Sequence, residues 1–508
     1  MVAHVKTVAF CGVEITDVEV QVHIASGLPS FTIVGLPDKA VAESRERVRV
    51  AIQALGLSLP AKRITVNLAP ADLAKEGSHF DLPIALGVLA AMELIPQDAL
   101  DGHLVLGELA LDGRIMSVQG VLSVALGASA RGMGVICPAA NAAEASWAGG
   151  EGALIAPDSL MAWINHVKGV QLIATPNLSH KPQQIQGTDM AQVKGHVGAR
   201  RALEIAAAGG HNLLMIGPPG TGKSLLASCL PSILPELTPK EMLEISMIAS
   251  IAGTLPAGGL VQQRPYRSPH HSASLPAMVG GGKRALPGEL SLAHKGVIFL
   301  DELPEFPRAV LESLRQPLET REVTIARVQA HYTYPADVQL IAAMNPCRCG
   351  YLSDPKRACS KAPRCGEDYL SKLSGPLLDR FDLYVDMPMI AMEEIYSDHV
   401  PESSAAVRMR VQQARSRQTQ RYAMDEATNA NIDEAHFHRT RQWHDDAKAL
   451  LQKTAVQMGL SMRGMNRVSR VAATISDVDG ADAISRHAVA EALSYRRMMP
   501  QELRHATA

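Results

Sequence analysis

Aromatic residues are scarce in this sequence, and neither sign of charge is in excess. Phe, Trp and Tyr make up 4% of the 508 residues, which argues against nucleic-acid binding that depends mainly on bases stacked on aromatic rings. The 49 Lys and Arg residues nearly balance the 51 Asp and Glu residues. Because no global basic field exists, any contact with nucleic acid must come from a local patch.

Long apolar runs and a cysteine framework are also lacking. No uninterrupted apolar run reaches the roughly 20 residues that cross a bilayer, and the start, MVAHVKTVAF, lacks the basic and apolar regions of a secretory signal. Seven Cys in a chain of this length do not indicate a disulfide scaffold. We therefore expect a cytoplasmic protein with no membrane segment and about two to four domains.

One octapeptide, GPPGTGKS, matches the pattern of a phosphate-binding loop. It lies between an apolar run at 213–216, which predicts a buried strand, and residues 225–230, which predict the first turns of a helix. In that setting backbone N–H groups face a polyphosphate, Lys223 neutralises its β and γ oxygens, and Ser224 can ligate Mg²⁺. The residues expected to bind ATP are Gly217, Pro218, Pro219, Gly220, Thr221, Gly222, Lys223 and Ser224.

Polar side chains follow two further apolar runs. Asp301 and Glu302 come directly after residues 297–300, and Asn345 follows a later run. In open α/β sheets, the carboxyl ends of the strands face the ligand. Asp301 suits the Mg²⁺ shell and Glu302 suits activation of an attacking water, which predicts hydrolysis. Asn345 is placed to hold the water or the γ-phosphate, with a turn cap before Pro346 as the alternative.

Composition divides the chain into four segments. Residues 172–192 are rich in Pro, Gln, Ser and Thr without periodicity, which predicts a linker. Residues 1–171 predict an independent α/β domain, in which Asp38 is expected to cap a helix. Residues 193–389 predict an α/β nucleotide-binding core with a parallel sheet. Residues 390–508 have a helical pattern and no strand signals.

The motifs together resemble those of the ComM/YifB proteins, the magnesium-chelatase-like group of AAA+ ATPases, in order and over nearly the whole chain. The segments that carry the resemblance are GHNLLMIGPPGTGKS, RSPHHSAS, GELSLAHKGVIFLDELPEF, AAMNPCRCG and SGPLLDRFDL. The resemblance implies an AAA+ P-loop core with a C-terminal helical lid, and a ring, typically a homo-hexamer. ComM members are similar to motors that drive DNA branch migration during natural transformation, so DNA and recombination proteins become expected partners.

The resemblance also gives roles to two arginines. Arg380 in LLDRFDL matches the AAA+ arginine finger, which reaches the γ-phosphate of a neighbouring subunit and is worth on the order of 10³-fold in rate. An ion pair with a flanking aspartate is the alternative. Arg463 matches the second sensor arginine of the lid, although Arg467 or Arg470 could fill that role one or two turns later.

Two insertions in the core are the expected DNA contacts. Residues 268–284 surround a triple-Gly turn, which suits a flexible pore loop, and REVTIARVQAHYTY alternates as a β-hairpin. In the magnesium-chelatase-like clade, hairpins at these places line the channel of the ring. Lys283, Arg284 and Arg327 are therefore expected to contact phosphates without sequence preference. Solvated loop charge is the alternative for each of them.

Four cysteines crowd into CRCGYLSDPKRACSKAPRC: Cys347, Cys349, Cys359 and Cys365. A quartet in so short a span is typical of a structural Zn²⁺ site. The Cys-x-Cys spacing is tighter than usual and the second pair is wider, so free thiols stay the alternative. A metal here is expected to stiffen the subunit interface.

The N-terminal domain resembles the Lon protease proteolytic domain, but it departs at the catalytic positions. The nucleophile position falls on His79 and the lysine position on Leu122, and the adjacent Ser78 has no evident activating base. We therefore expect this domain to be proteolytically inactive. The favoured function is a DNA motor, with a chelatase-type ATPase subunit or an ATP-dependent protein remodeller as alternatives.

Overall fold

The structure is a computed structural model. It describes residues 2–149, 152–174, 187–256, 259–282, 285–326, 331–352, 357, 359–391 and 401–497. We refer to the described parts of 2–174, 187–391 and 401–497 as the N-terminal, central and C-terminal regions. None of the helices in these parts of the chain is both long and apolar enough to cross a membrane.

The N-terminal region combines helices with two larger sheets and one two-stranded pair, Glu108–Leu109 with Ile115–Met116. Its strands are β1 Val2–Cys11, β2 Glu14–Ala25, β3 Ser30–Val34, β4 Arg63–Ala69, β5 His103–Val105, β6 Glu108–Leu109, β7 Ile115–Met116, β8 Gly134–Ile136 and β9 Leu154–Ile155. Its α-helices are Lys39–Ala54, Asp81–Ala91, Val121–Ser129, Ala142–Ala145 and Leu160–Val167. Short 3₁₀ turns are Ser78–Phe80, Gln97–Ala99, Ala139–Asn141 and Ser146–Ala148.

The larger of these sheets is mixed. Its order is β1-β2-β4-β3, in which only the β3–β4 pair is parallel. The helix Lys39–Ala54 packs beside it and starts as predicted, because the Asp38 side chain accepts a hydrogen bond of 2.7 Å from the Val41 amide. Such a cap contributes about 1 kcal/mol. The smaller sheet, β5-β8-β9, is parallel.

The central region holds the predicted nucleotide core. Its strands are β10 Leu213–Ile216, β11 Tyr266–Arg267, β12 Gly280–Gly281, β13 Leu286–Pro287, β14 Val297–Leu300, β15 Glu322–Ala326, β16 His331–Pro335, β17 Gln339–Met344 and β18 Leu383–Asp386. Its α-helices are Val197–Gly209, Lys223–Ser228, Leu230–Ile233, Pro239–Ala252, Leu275–Val279, Glu289–Leu292, Arg308–Ser313, Pro317–Thr320, Arg364–Leu370 and Gly375–Leu378. The 3₁₀ turns are Met190–Gln192 and Leu303–Glu305.

A five-stranded parallel sheet organises this region. Its order is β11-β14-β17-β10-β18, and every neighbouring pair is parallel. Successive residues of β14 enter opposite hydrophobic clusters: Val297 and Phe299 lie in one, and Ile298 and Leu300 lie in the other. A strand covered on both faces is a continuous apolar run, which is why β10 and β14 could be located from the sequence.

The C-terminal region is helical, as predicted, with one exception. Its α-helices are Ser404–Tyr422, Glu434–Thr440, Asp445–Met458, Met462–Val478 and Arg486–Arg497. The expectation of no strands was wrong in detail, because β19 Gln442–Trp443 and β20 Ala483–Ile484 pair in parallel. Two-residue strands are too short to give the alternating pattern by which strands are recognised.

The predicted linker is only partly within the described residues, which resume at 187. There Met190 is 1% exposed and belongs to the main hydrophobic cluster. Its amide donates a hydrogen bond of 2.8 Å to the Ser404 hydroxyl. The end of the segment is therefore packed between the central and C-terminal regions.

The N-terminal and central regions share a polar contact that is buried. Glu144, which is 8% exposed, accepts hydrogen bonds from the Leu122 amide, the Asn141 side chain and the Ser250 hydroxyl of the central region. A second contact joins the β1–β2 turn to β16, where a Cβ on Gly12 would lie 2.6 Å from the Thr333 carbonyl oxygen. The predicted channel hairpin, β15–β16, thus rests on the N-terminal region.

Candidate functional site

The predicted phosphate-binding loop connects β10 to the helix Lys223–Ser228, which begins slightly earlier than predicted. Gly220 and Gly222 have φ values of +79° and +83°, the left-handed region that glycine adopts without strain. Gly217 is needed for space, because a Cβ there would lie 2.2 Å from the Met387 carbonyl oxygen. The loop therefore has the backbone freedom that wrapping a phosphate requires.

Lys223 lies in the cradle of this loop. It is 7% exposed, and its Nζ donates hydrogen bonds of 2.8 Å to the carbonyls of Gly217 and Pro218 and of 3.2 Å to Asn345 Oδ1. Burial lowers the pKa of Lys223, whereas the charges of Asp301 and Glu302 oppose that shift. A nearly buried ammonium group held by carbonyl oxygens can turn to an anionic phosphate when one enters.

Ser224 and Asp301 form the expected pair for a metal bound with nucleotide. The Ser224 hydroxyl donates a hydrogen bond of 2.6 Å to Asp301 Oδ2. The structure thus brings together the end of β14, the start of the P-loop helix and, through Asn345, the end of β17. A hydroxyl and a carboxylate in contact are oxygen ligands of the kind that Mg²⁺ takes beside ATP phosphates.

Glu302 is exposed and has an unusual backbone. Its φ is +51°, which is uncommon for a residue with a side chain and costs on the order of 1 kcal/mol or more. The Glu302 amide donates a hydrogen bond of 2.9 Å to Asp301 Oδ1. His271 Nδ1 lies 3.5 Å from Glu302 Oε2, and the His270 ring lies 4.0 Å from the His271 ring. The segment predicted as a pore loop therefore begins beside Glu302, and it includes a helix, Leu275–Val279.

A cluster of arginines lies at the other end of the sheet. A cavity of about 330 Å³ near the amino ends of β10, β17 and β18 is lined by Arg321, Arg380, Arg463, Arg467 and Arg470, among others. The P-loop follows the carboxyl end of β10, a strand of four residues that spans about 13 Å. The P-loop residues and the arginines thus lie at opposite ends of the strands of one sheet.

Arg380 is paired within its own chain, but neither flanking aspartate is its partner. Its side chain is 11% exposed and forms an ion pair with Glu319. Burial lowers the pKa of Arg380; Glu319 opposes this shift, and the nearby Arg467 and Arg463 add to it. The cavity also contains the carboxylates of Glu319, Asp337, Asp382 and Glu434, so its five arginines face four acids.

Arg467 is tied down, whereas Arg463 is not. Arg467 forms an ion pair of 2.6 Å with Asp382. Burial favours the neutral acid, but Arg467 and His211 outweigh it and lower the pKa of Asp382. Arg470 donates a hydrogen bond of 2.7 Å to the Asn429 carbonyl oxygen. Arg463 is exposed and makes no ion pair with the residues that the structure describes, which leaves it the most available of the three candidates for the second sensor.

Three of the four predicted cysteines converge. The Sγ atoms of Cys347, Cys349 and Cys365 all lie within 4.8 Å of one another, and Cys359 is outside this group. The Tyr351 amide and the neighbouring thiols of Cys347 and Cys359 lower the pKa of Cys349. This cluster is a candidate thiolate metal centre.

The three expected DNA contacts, Lys283, Arg284 and Arg327, lie outside the described residues. Their flanks are described: β12 pairs with β13 on either side of 283 and 284, and β15 pairs with β16 on either side of 327. The predicted hairpin is therefore confirmed, while the roles of these three residues stay predictions.

The protease-like position offers different chemistry from a Ser–Lys pair. His79 is 5% exposed, its Nε2 lies 2.9 Å from the Val8 carbonyl oxygen, and burial lowers its pKa to about 4. Leu122 is fully buried. The Ser78 hydroxyl donates to Glu108. A neutral, buried imidazole bound to a carbonyl does not activate a serine.

Family models for magnesium chelatase match three successive parts of the chain. The model described as "Magnesium chelatase, subunit ChlI" covers residues 189–395, "Subunit ChlI of Mg-chelatase" covers 20–141, and the C-terminal model of subunit ChlI covers 401–496. The chain is also 45% identical over 496 residues to the protein YifB of Salmonella typhimurium, with 97% of each chain covered. The chain belongs to the magnesium-chelatase-like YifB/ComM family.

Other members of the YifB/ComM family match to the same extent. YifB of Escherichia coli is 45% identical over 493 residues, covering 97% of this chain and 96% of the relative. The competence protein ComM of Haemophilus influenzae is 42% identical over 497 residues, with the same coverage. Membership of this AAA+ family supports ATPase activity and suggests ATP and Mg²⁺ as cofactors.

Two contacts at the site could not be predicted from the sequence. His271 reaches Glu302 because β11 pairs with β14, and β11 is only two residues long. Glu319 reaches Arg380 from a helix of four residues, Pro317–Thr320. In both cases a distant contact depends on the packing of elements too short to carry a periodic signal.

Proposed function

We propose that this protein is a ring-forming, ATP-hydrolysing DNA motor. In this proposal Lys223 and the P-loop bind the ATP phosphates, and Ser224 and Asp301 hold Mg²⁺. Glu302 orients or deprotonates the attacking water, and Asn345 holds that water or the γ-phosphate. Bound Mg²⁺ would neutralise charge on the β and γ oxygens. The cytoplasm is the expected compartment.

The observation that supports assembly into a ring is the separation of Arg380 from the P-loop of its own chain. Arg380 and Arg463 line a cavity near the amino end of β10, whereas the P-loop follows its carboxyl end. A guanidinium group there cannot serve the nucleotide of its own chain, but it can serve that of a neighbour in a closed ring. We infer that Arg380 exchanges Glu319 for the γ-phosphate of the adjacent subunit and that Arg463 assists it. A hexamer is the expected ring.

DNA is the proposed track, and its branch points are the proposed substrate. Support comes from the relative named as competence protein ComM and from two antiparallel strand pairs, β12–β13 and β15–β16. Lys283 and Arg284 lie in the sequence between the strands of the first pair, and Arg327 between those of the second. Contacts of this kind bind phosphates in any sequence. The proposed process is branch migration during natural transformation and homologous recombination, together with recombination proteins.

A chelatase-type ATPase subunit is the second candidate, because the family models that match are those of magnesium chelatase. DNA dependence separates the two. ATP hydrolysis should be measured with no DNA and with single-stranded, duplex and four-way-branched DNA. Stimulation by DNA, with movement of the branch point, supports the motor. Hydrolysis unaffected by any DNA would favour a chelatase-type or protein-remodelling ATPase.

Zinc is the ion we propose for the four cysteines. Cysteine thiolates are the usual ligands of structural Zn²⁺, and four protein ligands would leave no position open for catalysis. The clustering of three Sγ atoms supports such a site.

A further inference from the structure

Three cysteine sulfurs lie close enough together to share one metal ion, and all of the cysteines are free thiols. Tetrahedral Zn²⁺ with Zn–S bonds of about 2.3 Å separates its sulfur atoms by about 3.8 Å. Cys347 Sγ lies 3.1 Å from Cys349 Sγ, well beyond the roughly 2.05 Å of a disulfide bond. Cys365 Sγ lies within 4.8 Å of both, and Cys359, outside this group of three, is the remaining cysteine of the segment.

The first pair of cysteines lies against the nucleotide site of the same chain. Cys347 is fully buried and lies two residues after Asn345, whose Oδ1 accepts the hydrogen bond from Lys223. Gly350 follows Cys349 directly and touches the P-loop: a Cβ on Gly350 would lie 2.6 Å from the Cδ atom of Pro219. One short turn thus contacts the phosphate cradle at both of its ends.

The second pair anchors this turn to the core. Cys365 lies in the helix Arg364–Leu370, and Leu370 at the end of that helix is 5% exposed in the cluster beneath the sheet. Between β17 and that helix, the described residues form turns and no regular element. Turns are held by fewer backbone hydrogen bonds than helices or strands, and a thiolate-bound ion would add a cross-link.

We propose that Cys347, Cys349, Cys359 and Cys365 bind one Zn²⁺ ion, and that this ion holds Asn345 and Pro219 in position, so that ATP binding and hydrolysis depend on the metal. The cluster then acts on the site of its own subunit, and not primarily on the subunit interface as the sequence suggested. The hydrolysis part rests on the proposed ATPase function, whereas metal content and nucleotide affinity do not.

The metal itself is tested on the full chain purified without chelator. Metal analysis should give about one Zn²⁺ per chain, and Cys359→Ser should lose most of it. Cys11→Ser is the matched control, because Cys11 lies outside the cluster and serine can keep its contact with the His331 carbonyl. Wild-type protein with no zinc and with free thiols or a Cys347–Cys349 disulfide would overturn the metal site.

The coupling is tested by nucleotide affinity and turnover together. Zinc removal with a chelator, and the Cys359→Ser variant, should each weaken binding of a fluorescent ATP analogue and lower kcat by about 10-fold or more. Added Zn²⁺ should restore the chelated protein. Unchanged affinity and turnover after complete loss of zinc would overturn the coupling.

A glycine substitution separates the contact from the metal. Gly350→Ala leaves every thiol in place but presses on Pro219, so it should keep zinc and still weaken ATP binding. Gly56→Ala is the control, because Gly56 has a similar φ of +76° and a Cβ there meets nothing within 4 Å. If Gly350→Ala binds ATP like Gly56→Ala, the proposed contact is not the link. A wild-type protein that binds zinc and ATP without hydrolysing ATP would refute the proposed ATPase, while the effect of zinc on affinity would still support the metal site.

Discussion

His271 Nδ1 lies 3.5 Å from Glu302 Oε2. The two residues follow neighbouring parallel strands, β11 and β14. The turn after His271 continues through the helix Leu275–Val279 to the β12–β13 hairpin, which carries two of the expected DNA contacts. A movement of that hairpin can therefore reach Glu302, the acid proposed to activate water.

We expect His271→Ala to slow hydrolysis without weakening ATP binding. Loss of the contact frees the Glu302 carboxylate from its position, and misplacement of a catalytic group by about 1 Å costs about 100-fold in kcat. His271→Asn, which can still donate a hydrogen bond, should recover part of the rate. The exposed His438, changed to Ala, is the control. Equal kcat values for the Ala variants at positions 271 and 438 would contradict this role.

Variants of Lys223 and of Glu302 should separate ATP binding from ATP hydrolysis. Lys223→Ala should abolish ATP binding, because its ammonium group is the main cation of the cradle. Glu302→Gln should keep binding and stop hydrolysis. Fluorescent-nucleotide titration and phosphate release measure the two steps, with Glu322→Gln as a control on the exposed hairpin. The assignment fails if both variants lose affinity to the same extent.

Arg380→Ala should retain ATP binding yet lose about 10³-fold or more in hydrolysis. When it is mixed with wild-type protein, activity should fall more steeply than its share of the mixture, because one variant subunit disables the site of its neighbour. Glu319→Ala, which frees Arg380, should not abolish hydrolysis, and Arg114→Ala is a neutral control. Simple proportional dilution would indicate a local ion pair.

Lowering the pH should reduce the stability of the folded protein because of His79. Burial lowers its pKa to about 4 in the folded protein, whereas the unfolded value is about 6.5. Between these values the unfolded chain binds more protons, so stability is complete above about pH 6.5. As the pH falls towards 4, up to about 3 kcal/mol is lost. Urea unfolding at pH 7.5 and 5 measures this loss. His79→Gln should flatten the difference, and the exposed control His438→Gln should not.

DNA binding should weaken steeply with salt. Replacing Lys283, Arg284 and Arg327 with Ala should reduce the slope of log K against log salt by about 3 per bound subunit and uncouple ATP hydrolysis from DNA. Neutralising exposed Arg45, Arg49 and Arg114 in the N-terminal region is the matched control. The hairpins are not the DNA contacts if the first variant migrates branches at the wild-type rate.

The sequence predicted those parts of the site that depend on one strand and the residues next to it. β10 and β14 are continuous apolar runs, so the P-loop, Asp301 and Glu302 could be placed at their ends. The contacts of His271 with Glu302 and of Arg380 with Glu319 could not, because each joins elements distant in sequence. The position of Gly350 on Pro219 likewise depends on a turn without periodicity.

Glu144 is buried where the N-terminal region meets the helix Pro239–Ala252. Sliding these two parts past each other would strip the carboxylate of the Ser250 hydroxyl without bringing water to it, and such a loss costs about 1–3 kcal/mol or more. We therefore expect the N-terminal region and the helix Pro239–Ala252 to move as one rigid unit. Any nucleotide-driven movement would then occur between whole subunits, and the N-terminal region would move together with the central region. A protein that lacks the N-terminal region would therefore lose part of the moving unit.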